Sequence, residues 1–322
     1  MHRIGRKATI SIIIPVYNEV RVLEPLLEEL RGSLKNMTDI DRYEIIMVND
    51  GSKDGSDREL DRIAARCTED VTVIHLARNF GHSAAVCAGM DRARSDASIV
   101  MDADMQDDPA AFGAFLEKWR EGYDVVYAVR SSRKESGSIR LLFWFYYRIL
   151  NRMAEIELPL DSGNFALMDG RVVEKLVSMP ERNRYLPGLR AWVGFRQIGV
   201  FVPRRKRYDG RPRVGMRGLW RLAMNAVFSF SYVPLIFLRL AGVIAVAISL
   251  GLASFALYHK IFTGLAMKAW ASQIIAVAFF GGVNLFGLGV IGEYVARIYD
   301  EVKGRPIYVI DRITPAGREN EE

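Results

Sequence analysis

Short apolar runs alternate with longer amphipathic ones from Ile10 onward. The stretches Ile10–Val16, Tyr43–Val48, Val71–Leu76, Ala97–Met101 and Asp124–Val129 are rich in apolar and β-branched residues and predict strands. Leu23, Leu26, Leu27, Leu30 and Leu34 fall on one helical stripe, and Ala84–Ala93 and Ala110–Trp119 also read as helices. Strands apolar along their whole length are buried on both faces. The pattern therefore predicts an α/β domain with a mostly parallel, Rossmann-like sheet covered by helices on each side.

The pattern changes in the last third of the chain. Leu240–Tyr258 and Ala269–Gly292 contain no charged residue, and each is near the ~20 residues needed to cross a bilayer. The expectation is a two-span transmembrane hairpin; a pair of buried core helices is the competing reading. Arginine and lysine are dense from Arg204 to Arg221 and recur at Arg297, Lys303, Arg305 and Arg312, whereas the connecting loop offers only Lys260 and Lys268. This bias predicts that both termini face the cytoplasm. Met1–Ala8 runs into a strand pattern without a small-residue cleavage site, which argues against a secretory signal. Two segments, 140–153 and 217–232, interleave aromatic residues with arginines and read as helices in the membrane interface or, alternatively, as packing against the α/β domain. The expected division is a catalytic domain over 1–207, an amphipathic segment over 208–232, the hairpin over 233–292 and a cytoplasmic tail over 293–322, frayed after Pro315.

Composition sharpens this picture only slightly. Half of the 322 residues are hydrophobic, enough for one soluble core plus the spans. The net charge of +6 gathers beside the apolar runs, so the expected partner is a membrane surface and not nucleic acid. Cys67 and Cys87 lack metal-ligand spacing and read as small core residues.

The candidate chemistry lies where strands end. "YNE" (Tyr17–Glu19), "NDGSKDGS" (Asn49–Ser56), "RNFGH" (Arg78–His82) and "DADMQDD" (Asp102–Asp108) each follow a strand, and in such sheets ligands bind beyond the carboxyl ends. In an extended segment Asp102 and Asp104 share a face with Gln106, while Ala103 points the other way. Carboxylates that close repel unless a cation lies between them, and Mg²⁺ or Mn²⁺ combines carboxylates with substrate phosphates. The alternative is that the acids merely open the next helix; for Asp107 and Asp108, ahead of Pro109, that is the preferred reading. His82, at a helix start, reads as a packed or capping residue. The basic run from Arg204 to Arg213 either anchors the chain at the membrane or recruits an acceptor phosphate.

"SIIIPVYNE" (Ser11–Glu19), "VNDGSKDGS" (Val48–Ser56), "ARNFGHSAAVCAG" (Ala77–Gly89), "MDADMQDDP" (Met101–Pro109) and "VIGEYVARIYDEVKGRP" (Val290–Pro306) together resemble the inverting GT-A glycosyltransferases of family 2, and within it the polyprenyl-phosphate glycosyltransferases. The likeness covers nearly the whole chain. It is nearer to the GtrB-type enzymes that load glucose from UDP-glucose onto undecaprenyl phosphate than to dolichyl-phosphate mannose synthases or ArnC-type aminoarabinose transferases. It implies that Pro15, Tyr17 and Glu19 belong to the first nucleotide-binding loop, that Asp50 contacts base and ribose, and that Arg78 lies beside the base. It also implies that Asp102, Asp104 and Gln106 hold Mg²⁺ or Mn²⁺ with the diphosphate, and that Arg130 and Arg140 serve phosphate. The implied reaction moves a hexose from a nucleotide sugar, UDP-glucose first and GDP-mannose, UDP-GlcNAc or a UDP-aminoarabinose derivative as alternatives, to polyprenyl phosphate with inversion. The product would feed cell-envelope glycan or lipid modification. The implied setting is the inner (plasma) membrane, in contact with membrane lipids, as a homo-oligomer, a tetramer in the relatives' manner.

One stretch departs from that pattern. Close relatives carry Gly-Asp-Phe-Arg, and here "DSGNFALMD" puts Asn164 and Ala166 in the matching positions. Asparagine cannot accept a proton at neutral pH. Either Asp161 substitutes as base, or the acceptor phosphate, with a second pKa near ~6, is already dianionic and needs none; the second is the expectation. Two rivals fit less well. A processive polysaccharide synthase would carry more spans and a Gln-x-x-Arg-Trp motif, and "LRAW" (Leu189–Trp192) lacks the glutamine. A catalytically silent nucleotide-sugar-binding scaffold would have no use for the acidic pair.

Overall fold

The five expected strands form, together with three that the apolar pattern did not flag. The computed structural model describes residues 7–35, 37–67, 71–130, 162–182, 184–203, 205, 233–263 and 270–317. In chain order the elements are β1 (Ala8–Val16), α1 (Leu23–Lys35), β2 (Ile40–Asn49), α2 (Ser56–Arg66), β3 (Val71–Leu76), α3 (His82–Arg92), β4 (Ala97–Val100), α4 (Ala111–Arg120), β5 (Val125–Arg130) and β6 (Ser162–Asp169). There follow α5 (Gly170–Ser178), α6 (Leu186–Trp192), β7 (Gln197–Val202), α7 (Val233–Tyr258), a π-turn (His259–Thr263), α8 (Trp270–Val302) and β8 (Ile310–Thr314). The interfacial segments expected over 140–153 and 208–232, and with them Arg140 and Asp161, lie outside the described residues.

One sheet carries all eight strands in the order β7-β5-β6-β4-β1-β2-β3-β8. Its centre, β4-β1-β2-β3, is parallel, as is β5 with β7, while β6 and β8 run antiparallel to their neighbours. Successive residues of a strand point to opposite faces. Ile10, Ile12, Ile14 and Val16 accordingly join the leucine stripe of α1, Leu60 of α2 and Phe112 and Phe115 of α4 in one core. Ile13 turns to the other face, where α3, α5 and α6 pack. All five stripe leucines are buried, each stabilising the fold by about 1.5–3 kcal/mol. On the second face α3 comes so close to β1 that a Cβ at Gly89 would lie 2.3 Å from the Ile13 side chain. Cys67 and Cys87 are buried free thiols, as expected.

The helices α7 and α8 contain two candidate spans, Pro234–Tyr258 (25 residues) and Gln273–Val302 (30 residues), whose most apolar 18-residue windows have mean hydropathies of 2.4 and 2.3. Neither window is buried inside the chain, which removes the core-helix alternative. The second helix runs past Gly292 to Val302. The chain then turns at Gly304, where φ is +59°, and returns as β8 alongside β3, with His75 opposite Arg312 and Val73 opposite Thr314. The segment after residue 293 is thus not a separate tail: it supplies an edge strand to the catalytic sheet. Asp61 of α2 anchors it, accepting bonds from Thr314 Oγ1 (2.7 Å), Arg312 Nη2 (2.6 Å) and His75 Nε2 (3.0 Å).

Candidate active site

The four expected loops meet at one rim because β4, β1, β2 and β3 are parallel neighbours, so their carboxyl ends coincide. Pro15 lies inside β1, opposite Val48, and Tyr17 is 41% exposed at the strand's end. The next residues lace the β1 loop to the β2 loop. Asn18 N–H donates to Ser52 Oγ (3.0 Å), Glu19 N–H to Ser56 Oγ (3.0 Å), Val20 N–H to Asp54 (3.1 Å), and Lys53 N–H to Asn18 Oδ1 (2.8 Å). Asn18 takes the left-handed conformation, φ +56°, that this lacing requires. Glu19 is itself buried.

Asp50, 2% exposed, braces the third loop. Its two oxygens accept the N–H groups of Phe80 (2.7 Å) and Gly81 (2.9 Å). Burial raises its pKa above the usual carboxylate value, and the two amide bonds pull back only part of that shift. Gly51 follows with φ +64°, and a Cβ there would lie 2.5 Å from the backbone of Arg78 and Asn79. Only glycine lets these loops touch. The Arg78 guanidinium sits 4.0 Å over the Phe80 ring.

The acidic loop after β4 is a turn and not the extended segment assumed from spacing. The strand ends at Val100, and Met105 adopts φ +58°. Ala103 does point inward and is buried in the core, leaving its two aspartate neighbours at the rim. Asp104 Oδ1 accepts the N–H of Gln106 (3.1 Å). Asp107 does not open α4: its buried carboxylate turns back to accept the N–H of Asp102 (3.0 Å). Asp108 does serve the helix start, accepting Ala110 N–H (2.9 Å). It also forms an ion pair with Arg205 (2.8 Å), which bonds Glu29 as well and donates its N–H to Gln106 O (3.2 Å). Arg205, from the basic run, is therefore committed to closing this loop and not to recruiting phosphate.

His82 is the residue that sequence reasoning undervalued. It does stand at the first position of α3, but its Nε2 donates to Asp102 Oδ1 (2.8 Å), and its Nδ1 lies 3.4 Å from Asn164 Nδ2. Desolvation lowers the imidazole pKa, and Asp102, aided by Asp50 and Asp107, more than restores it, so the net shift is upward. Arg190 was likewise not anticipated. This buried α6 arginine reaches Gly163 O at 3.4 Å and stacks 5.1 Å from Tyr127, and desolvation pushes its pKa down to about 10 against small upward contributions from Tyr127 and Tyr185. Arg130 ends β5 opposite Val202. The structure thus brings Tyr17, Glu19, Asp50, Arg78, Asp102, Asp104, Gln106 and Asn164 to one rim. Asp61 and its tail network lie outside it, on the sheet edge.

A metal-binding reading of the acidic pair rests on its donor chemistry. Asp102 and Asp104 offer hard carboxylate oxygens on one turn, a set suited to a divalent ion that completes its shell from a diphosphate. Among the described residues no three acidic, histidine or cysteine side chains form a self-contained cage, so the pair fits an ion shared with substrate.

The fold is a GT-A-like α/β sheet with its ligand rim at the parallel strand ends, the architecture of a sugar-nucleotide transferase. The chain belongs to the family described as Glycosyl transferase family 2, whose sequence pattern matches residues 11–177, and it is a glycosyltransferase. It is 42% identical over 303 residues to an uncharacterized glycosyltransferase, sll0501, of a Synechocystis species, covering 94% of each chain. It is 34% identical over 309 residues to the bactoprenol glucosyl transferase of Shigella phage SfII, covering 94% of this chain and 97% of that one. Among solved structures, the mannosyltransferase PcManGT from Pyrobaculum calidifontis in complex with GDP-Man and Mn²⁺ aligns with a TM-score of 0.47 at 18% identity, over 92% of this chain and 88% of that one.

Proposed function

We propose that the protein transfers glucose from UDP-glucose to undecaprenyl phosphate at the cytoplasmic face of the plasma membrane, with inversion at the anomeric carbon. The observation that carries this reading is the full-length likeness to a bactoprenol glucosyl transferase, which spans the sheet domain and both apolar helices. In this reading the chain lies in the membrane through α7 and α8, with both termini on the catalytic side.

The rim residues take roles that their geometry supports. The laced loops of Tyr17–Glu19 and Asn49–Ser56 form a rigid bed for the nucleoside, and Asp50 fixes the loop that presents Arg78 beside it. Asp102 and Asp104, with Gln106, are the residues that would hold Mg²⁺ or Mn²⁺; when bound, that ion supplies Lewis-acid neutralisation of charge on the departing diphosphate. His82 orients Asp102 and separates it from Asn164. The nucleophile is a phosphate monoester oxygen of the lipid. With its second pKa near ~6, this group is dianionic at neutral pH, so Asn164 is tolerated where relatives carry an acid.

The test uses membranes containing the full chain, radiolabelled UDP-glucose and undecaprenyl phosphate. Label should enter a chloroform-soluble, mild-acid-labile product, and Asp104→Asn should cut the rate by about 10²-fold or more while leaving the melting temperature within a few degrees. UDP-glucose binding without any lipid-borne label would overturn the proposal in favour of a nucleotide-sugar-binding scaffold.

A further inference from the structure

We infer that His75, held as its Nε2–H tautomer by Asp61, is a positioning residue for the donor: through Asn49 it fixes the amide of Ser52 in the loop that beds the nucleoside. This deepens the nucleotide-sugar reading above and rests on it.

Asn49 and His75 stand opposite one another in register, near the carboxyl ends of the parallel neighbours β2 and β3. Both side chains are buried. They project to the same face as Met47 and Val73, the one that α2 covers. A buried imidazole destabilises a core unless both of its ring nitrogens find partners. Here both do: Nδ1 lies 3.1 Å from Asn49 Nδ2, and Nε2 lies 3.0 Å from Asp61 Oδ1.

The donors and acceptors along this chain admit one arrangement. Ser52 N–H can only donate, and it lies 3.0 Å from Asn49 Oδ1. The Asn49 amide is therefore turned with its oxygen toward Ser52 and its NH2 toward the imidazole, so Nδ1 must accept. On the other side of the ring the Asp61 carboxylate can only accept, so Nε2 must carry the proton. Two ends that share no atom demand the same neutral tautomer. Burial holds the imidazole below its ordinary 6.5 against the pull of Asp61 and Asp57 of α2, and Arg312 of β8 adds to the lowering.

The far end of the chain is the donor bed. Ser52 Oγ accepts Asn18 N–H (3.0 Å), and Asn18 Oδ1 accepts Lys53 N–H (2.8 Å). Asn18 has φ +56°, a conformation that persists only where its surroundings enforce it. A proton on Nδ1, or loss of the ring, leaves the Asn49 NH2 facing a donor or nothing. The amide is then free to turn, and its NH2 meets the Ser52 N–H. The bed loses its brace although His75 itself stands behind the rim.

The experiment uses the full chain in nanodiscs and measures UDP-glucose binding by calorimetry with Mg²⁺ present. Asn49→Ala and His75→Phe should each raise the Kd about tenfold, the effect of one hydrogen bond. The double variant should also lose about tenfold and not a hundredfold, because both changes act through one bond. His75→Asn, whose Oδ1 takes the place of Nδ1, should return to within about threefold of wild type. Asp61→Asn keeps an oxygen for Nε2–H and should match wild type even though it loosens β8. In the Asn49 and His75 variants the KM for UDP-glucose should follow the Kd, while the KM for undecaprenyl phosphate stays within about twofold. The chain has only four histidines, so spectra of histidine labelled with nitrogen-15 read the tautomer independently. At neutral pH His75 should show Nε2–H and a bare Nδ1 in wild type, and both nitrogens protonated in Asn49→Asp, where carboxylates flank the ring. Unchanged affinity in Asn49→Ala and His75→Phe, a hundredfold loss in the double variant, no recovery in His75→Asn, or a protonated Nδ1 in wild type would each overturn the inference. Wild type that binds no UDP-glucose while His75 keeps the Nε2–H tautomer would instead refute the nucleotide reading and leave the chain as a structural brace.

Discussion

Replacing Asp61 with Asn should release β8 from the sheet without unfolding the rest. Asp61 accepts three bonds, from Thr314, Arg312 and His75. Thr314 and His75 share Oδ1, so the amide oxygen of asparagine can keep both bonds, while the carboxylate charge that faces the Arg312 guanidinium is lost and an NH2 group takes the place of its acceptor. The Arg312 side chain is 47% exposed, so its share is discounted to about 0.5–1 kcal/mol. His75 is 2% exposed, and exchanging its charged acceptor for a neutral one costs about 1–1.5 kcal/mol. The total is about 2 kcal/mol, or roughly 30-fold in the local opening equilibrium. Native-state hydrogen exchange on the full chain in detergent reads this directly. Amides of β8 and the β3 amides facing it should exchange about 30-fold faster, with β1 and β2 unchanged. Acceleration below about threefold, or equal acceleration across the whole sheet, would refute the view that one carboxylate holds the strand.

The loop geometry and the buried imidazole each carry a further prediction. Gly51→Ala places a Cβ against the Arg78–Asn79 backbone at φ +64° and should raise the Kd for UDP, read by calorimetry, at least about 30-fold, whereas Gly55→Ala, at φ +94° with open space around it, should cost only local strain. His75 has its pKa held below its ordinary 6.5, by burial first and against the pull of Asp61. The unfolded chain then takes the proton first, so this contribution to stability is full above about pH 6.5 and drains as the pH falls through the folded value. Melting temperatures of wild type minus those of His75→Gln should fall between pH 7 and 5. The raised pKa of His82 contributes with the opposite sign and cancels in that difference.

Strands β1 to β5 and the helix of the leucine stripe were legible because their apolar runs are long and locally uniform. The missed strands lack that signal for physical reasons. In β7, Gly199 interrupts the run because a Cβ would come within 2.4 Å of the Val129 side chain, so packing across the sheet dictated a residue that weakens the local pattern. In β8 only Thr314 is buried, and the strand is held by side chains from α2 and β3 that no local window contains. The acidic loop was legible as a site, yet its internal wiring was not. Spacing suggested an extended strand for Asp102 and Asp104, and the chain turns there instead. It gave Asp107 to the helix, whereas burial turned it back on Asp102. His82 and Asp102 stand twenty residues apart in sequence and meet only because β3 and β4 flank the same central pair, a relation that sheet order alone reveals.

The chain from α8 to β8 sets a limit on where the donor rim can stand. Only Lys303 to Val309, seven residues, connect the end of α8 to the sheet, and seven residues span at most about 25 Å fully extended. The charge-free part of α8 ends at Gly292, so the ten helical residues from Glu293 to Val302 add about 15 Å, and with α8 in a bilayer and β8 paired the edge of the catalytic sheet is held within about 40 Å of the membrane surface. The same seven residues contribute Lys303, Arg305 and Ile307 to the wall of a cavity of about 610 Å³. Loosening β8 by Asp61→Asn should therefore raise the KM for undecaprenyl phosphate while sparing that for UDP-glucose, linking a carboxylate on the far edge of the sheet to the lipid side of the reaction alone.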